Sequence, residues 1–263
     1  MPALRRALII IGFRASEERG TLAQSMGQAA AKDFRASAVV DGSVDGDHQR
    51  CVAKNCVSTK KMQLKMIDSS VGWAFRTGES KIMDEKDKAI YHTTGYSNDG
   101  KMYTVRLENE KNKTICLAAC KDISGDSGAV IRLLRPDVPA YKGQSDFSGW
   151  ARESYSPYYP MAAIEVKRSD DKGVDAYATY KVTREGKDGN PTSTLVYNAK
   201  IISATGGPFL MSVEEKGGKQ VAKIDQAKIT DTKNLTLECG KNVDVVGVIL
   251  MASFLLVTRS SMW

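Results

Sequence analysis

The chain has 263 residues, 42% of them hydrophobic, which supplies core for one large domain or two small ones. Its 38 Lys and Arg against 31 Asp and Glu leave a net charge of +7. The bases are interleaved with acids throughout, which excludes the concentrated basic patch of a nucleic-acid binder. The odd count of five cysteines excludes a secreted disulfide framework.

Taken in chain order, residues 1–59 read as an N-terminal extension, a targeting or docking segment. Arg5 and Arg6 precede a short apolar stretch, Ala7 to Phe13, and no acid appears before Glu17. That arrangement is similar to an organelle transit peptide, and Ala36-Ser37-Ala38 to a small-residue cleavage site. Glu17 and Glu18 argue against it. The localisation expected is intracellular, cytoplasmic or organellar. Leu22 to Phe34 has the composition of a helix, with Ala29, Ala30 and Ala31 as strong formers. Asp41 to Asp47 is rich in Gly and Asp and reads as a loop between the extension and a main domain. His48, Cys51 and Cys56 lie near one another, but no paired C-x₂-C elements accompany them, so no metal is expected.

From Lys60 onward the hydrophobic period is two. Met62, Leu64 and Met66 alternate with Lys61, Gln63 and Lys65. The same pattern recurs at Tyr103 to Leu107, Ala162 to Val166, Ala176 to Val182 and Phe209 to Val213. Such alternation predicts antiparallel strands with one dry face and one wet face. Asn98-Asp-Gly100, Asp188-Gly-Asn-Pro191 and Lys216-Gly-Gly-Lys219 mark turns. About twelve strands fit between Lys60 and Cys239, and Gly143 to Pro160 divides them into two groups of about six. Cys116, Cys120 and Cys239 fall on apolar runs and read as buried free thiols.

Val243 to Val257 is apolar on nearly every side and shorter than the roughly twenty residues a membrane-spanning helix needs. A helix that is apolar all round is a buried one. In a chain of strands its burial site is the inside of a wrapped sheet. A central helix over 242–258 follows, with Asn242 as its N-cap and Asp244 in its first turn. The fold expected is therefore mainly β: an antiparallel barrel of about twelve strands, spanning 60–263, that encloses the hydrophobic C-terminal α-helix.

Three sets of residues could carry function. Gly125-Asp-Ser-Gly128 matches the nucleophile motif of chymotrypsin-like serine proteases, with His48 and His92 as the histidines that precede Ser127. Neither histidine sits in that family's sequence context, and a Ser-Gly-Asp-Ser-Gly string between strands also reads as a turn. Two basic groups could meet lipid headgroups: Lys60, Lys61 and Lys65, and Lys181, Arg184 and Lys187. They also read as the wet faces of strands.

Several stretches carry a family resemblance. They are Ser80-Lys-Ile-Met-Asp-Glu-Lys-Asp-Lys-Ala-Ile-Tyr91, Val105-Arg-Leu-Glu-Asn-Glu-Lys-Asn-Lys-Thr-Ile115, Gly218-Lys-Gln-Val-Ala-Lys-Ile224 and Leu235-Thr-Leu-Glu-Cys-Gly-Lys-Asn-Val-Asp-Val245. Over residues 60–258 the chain resembles the tubby C-terminal-like superfamily, in particular the LURP-one-related proteins. The resemblance implies a twelve-stranded barrel around a central helix and no generic catalytic site. Its relatives include phosphoinositide-binding tubby proteins and phospholipid scramblases, but the cysteine cluster of the scramblases has no counterpart here. The function expected is non-enzymatic, without cofactors: binding to an anionic membrane surface or to partner proteins. One alternative is an accessory or scaffold subunit of an organellar membrane complex. A second is a serine hydrolase using Ser127.

Overall fold

The computed structural model describes residues 29, 31–43, 56–68, 78–98, 102–121, 129–134, 162–169, 174, 176–185, 191–202, 208–227 and 234–261. The first six strands are β1 (Met62–Asp68), β2 (Gly78–Met83), β3 (Ala89–Asn98), β4 (Met102–Asn109), β5 (Thr114–Lys121) and β6 (Ala129–Leu134). The second six are β7 (Ala162–Arg168), β8 (Ala176–Glu185), β9 (Pro191–Ile201), β10 (Leu210–Glu215), β11 (Gln220–Asp225) and β12 (Asn234–Cys239). All pairings are antiparallel, each strand beside its sequence neighbours. β1 closes the barrel against β12, with Met62 opposite Cys239 and Leu64 opposite Leu237. The two groups of six lie either side of the 135–161 stretch, as expected, but in one barrel. Closure leaves no strand edge unpaired.

Period-two alternation sets the inner wall. Ala162, Ile164 and Val166 of β7 are buried while Ala163 and Glu165 between them are partly exposed. Several inward positions are small: Ala118, Ala162, Ala178, Ala199 and Ala222 are all nearly inaccessible. They leave space for a second element, because a helix with its side chains is about 10 Å across.

That element is a 17-residue helix, Val245–Ser261. Every residue from Val245 to Leu255 is buried, and its apolar side chains belong to the same core cluster as the inner faces of the strands. The tail is thus a plug inside a β-cylinder. No helix among the described residues is long and apolar enough to cross a membrane. At 1.5 Å per residue the plug is about 25 Å long.

One expectation needs correction. The helix begins at Val245, not at 242. Asn242 stands in the preceding turn with φ of 63°, a left-handed conformation that no N-cap adopts. The described part of the extension packs on the barrel. A helix, of which 31–36 is described without a break and which we label α1, lays Ala31 and Phe34 on Leu210 of the outer wall. Arg35 grips Asp225 through Nε and Nη2 at 2.9–3.1 Å. Ser37 Oγ donates to Gln220 Oε1, and Val40 N to Gln220 O. Ser43 donates through N and Oγ to the Glu215 carboxylate. The strap so formed runs the length of β11 and ends over the turn that leads into the plug helix, here α2.

Candidate functional site

The junction between wall and plug is where buried polar groups gather. β12 ends at Cys239, and Gly240 to Val243 reverse the chain into the barrel. Gly240 is required there: a Cβ would lie 2.1 Å from Val40 O of the strap. Ser58 stitches the reversal. Its N donates to Val243 O at 2.8 Å and its O accepts from Asn242 N at 2.8 Å. Its Oγ donates to Gly240 O at 2.6 Å and accepts from Val243 N at 2.9 Å.

Asp244 follows, wholly buried, and it is the N-cap of α2. Its Oδ1 accepts from Gly247 N at 3.1 Å, the third helical residue, which otherwise would have no partner. Tyr180 Oη of β8 donates to Asp244 Oδ2 at 3.2 Å. Asp244 N donates to Tyr197 Oη of β9 at 3.0 Å. The two rings stack, with centroids 6.0 Å apart and planes 11° from parallel. Burial, with Cys56 and Asp244 nearby, pushes the Tyr91 phenol up to about 12. Burial, then Asp244 and Glu238, pushes the Cys239 thiol upward. A thiol held protonated is neither nucleophile nor metal ligand. Cys56, Cys116 and Cys239 are buried free cysteines, and no group of three potential metal ligands occurs among the described residues. The junction's chemistry is that of a structural cap.

The residues expected to meet lipid fall in two places. Lys60 and Lys61 are exposed just before β1, and Lys65 is exposed within it. Lys61 pairs with Glu238 at 2.7 Å and Lys65 with Asp87 at 2.6 Å. Lys181 on β8 pairs with Glu165 at 2.8 Å. Arg184 lies near the end of β8, while Lys187 is outside the described residues. The order β1-β12-β11-β10-β9-β8 puts five strand steps between the two groups, so they form no single patch on the wall. His92 stands on β3 across from Lys81 and Glu108. Ser127, His48 and Cys51 lie outside the described residues.

Up-and-down topology gives the barrel two different ends. The turns 84–88, 109–113 and 215–219, the reversal at 240–243 and the approach to β1 all lie at the end where α2 is capped. The three turns share one form. Asp84 N donates to Lys88 O, Asn109 N to Lys113 O and Glu215 N to Lys219 O. Asp84 Oδ1 accepts from the N–H groups of Lys86 and Lys88 at 2.9 Å. Asn109 Oδ1 does the same for Lys111 and Lys113 at 2.9 and 3.0 Å. Asp87, Asn112 and Gly218 take the left-handed position, which these residue types tolerate. The first two turns therefore need their first and fourth residues for backbone reasons, and Lys86, Lys111 and Lys216 stand exposed at the turn tips. Sequence reading marked the 216–219 turn, quoted the 80–91 and 105–115 stretches only for their family resemblance, and missed that closure gathers the lysines of all three turns at one end.

Comparison with protein-family models, with curated proteins and with solved structures finds no match to this chain.

Proposed function

We propose that this chain is a non-enzymatic, tubby-like binding module that works through its outer surface on an anionic membrane. The observation that carries this reading is the plug. Small barrels that handle ligands hold them in the interior, and here α2 fills that interior with eleven consecutive buried residues, Val245 to Leu255. Function is left to the outside of the cylinder, where the net charge of +7 favours an anionic counterpart. The buried Cys239 thiol, held protonated, and the satisfied buried carboxylate support a structural rather than a chemical role for the polar core.

The test is co-sedimentation of the purified full chain with vesicles of phosphatidylcholine alone and with added phosphatidylserine. Binding that rises with anionic lipid and falls with salt is expected. Binding indifferent to both would end this reading. Recovery of the native protein only within a large assembly would favour the scaffold-subunit alternative, and labelling of Ser127 by an active-site serine probe the hydrolase one.

A further inference from the structure

We infer that the barrel meets the anionic surface end-on, with the end where Asp244 caps α2 facing the lipid. This inference rests on the membrane-surface reading above and specifies its contact face.

Six lysines project from that end: Lys60, Lys86, Lys111, Lys113, Lys216 and Lys241. All are exposed, and none makes an ion pair among the described residues. The acids of the same end, among the described residues, are already engaged. Asp84 accepts from two backbone N–H groups, and Asp41 from Lys241 N at 2.9 Å. Glu110 pairs with Lys88, Asp87 with Lys65, and Glu215 with Ser43 and, at 3.9 Å, Lys219. Glu85 accepts from Gln63 N at 3.4 Å. The side wall differs. Arg106, Lys181, Lys200 and Lys223 all face carboxylates within 3.7 Å, which leaves Lys81 and Lys167 as its exposed cations without such a partner among the described strand residues.

Geometry decides the class of partner. The six ammonium groups ride on the approach to β1, the β2–β3, β4–β5 and β10–β11 turns and the reversal after β12, all at one end of a cylinder roughly 20–25 Å across. A broad, flat, laterally continuous anionic surface can meet all of them at once. Lysine also suits this task. Its long flexible stem reaches a headgroup layer without a fixed fork geometry, and each such group near an anionic leaflet strengthens binding about fivefold.

The experiment uses the full chain and the same two vesicle compositions. One variant removes rim charge (Lys86→Ala, Lys111→Ala, Lys113→Ala and Lys216→Ala together), all at exposed turn positions that make no cross-strand pairs. The control variant removes wall charge (Lys81→Ala with Lys167→Ala). Circular dichroism and the unfolding midpoint check that both are folded. The rim variant is expected to lose on the order of several hundredfold in affinity for phosphatidylserine vesicles and to show a shallower salt dependence, with the wall variant unchanged. If the unmodified chain does not bind these vesicles, the membrane reading itself has failed. If it binds and the wall variant loses affinity while the rim variant does not, this inference is overturned and the membrane reading stands. Rim-dependent binding to an oligonucleotide in place of vesicles would also overturn it.

Discussion

Tyr180 Oη donates to Asp244 Oδ2 at 3.2 Å, a bond that ties the wall of the barrel to the N-cap of its plug. A buried carboxylate is costly unless its oxygens find donors. Here one oxygen takes the phenol and the other takes Gly247 N, so the residue that caps the helix also indexes it against β8 and, through Tyr197, against β9.

Replacing Asp244 by Ala removes the cap and leaves the Tyr180 hydroxyl and Gly247 N–H without that partner. The expected loss is about 2–4 kcal/mol, read as a lower urea midpoint. Asp244→Asn keeps an oxygen for Gly247 N and should lose about half as much. A fully stable Asp244→Ala protein would show that the junction does not hold the plug.

Gly247→Ala should destabilise, against the usual sign. In an ordinary helix the change gains about 0.5–1 kcal/mol. At this position a Cβ would stand 2.8 Å from Tyr180 Cε1 and 3.1 Å from Asp244 Oδ2, and overpacking of that kind costs about 1–3 kcal/mol. In a Tyr180→Ala background the same substitution should become neutral or favourable, which a double-mutant cycle in urea would measure.

A chain ending before Val243 should not fold. Eleven plug residues, Val245 to Leu255, are buried, and their burial contributes on the order of 15–30 kcal/mol before entropy is subtracted. That exceeds the roughly 5–15 kcal/mol net stability of a typical domain. A soluble truncated chain with a cooperative urea transition would contradict it.

Phe34→Ala should cost about 2–4 kcal/mol, although the residue lies in the extension, because it is buried with Ala31 against Leu210. Arg35→Ala should cost only about 1 kcal/mol, since its pair with Asp225 is partly exposed. Limited proteolysis of the Phe34→Ala protein should cut within the strap at positions protected in the unmodified chain.

Alkaline pH tests the neighbourhood of Tyr91. Its phenol titrates near 10.0 ordinarily and about 12 in the fold, chiefly through burial. The folded state thus favours the neutral form. The corresponding stability is present below pH 10 and is lost as the pH rises through about 12. A Tyr91→Phe protein should show a smaller decline over that window in urea titrations at fixed pH, and equal slopes would mean the phenol is not shielded.

The period-two alternation from Lys60 and the all-round apolar tail were enough to specify strands, one plug helix and a closed cylinder, because each is a local pattern with one way to bury itself. The 216–219 turn was legible from its paired glycines, whereas the 84–88 and 109–113 turns, shaped by the Asp84 and Asn109 side chains, were not read from those residues. The N-cap was not legible. Asn242 and Asp244 are both good capping residues, and the choice fell to Asp244 only because Tyr180 and Tyr197, some fifty to sixty positions away, arrive to satisfy it. Nor could alternation show the strap on β10 and β11. Ala31 and Phe34 carry no mark of their target until closure presents Leu210 on the outer wall. Local periodicity determined which residues are inside. Only the long-range register decided which turn tips share an end, because that depends on every strand pairing around the ring.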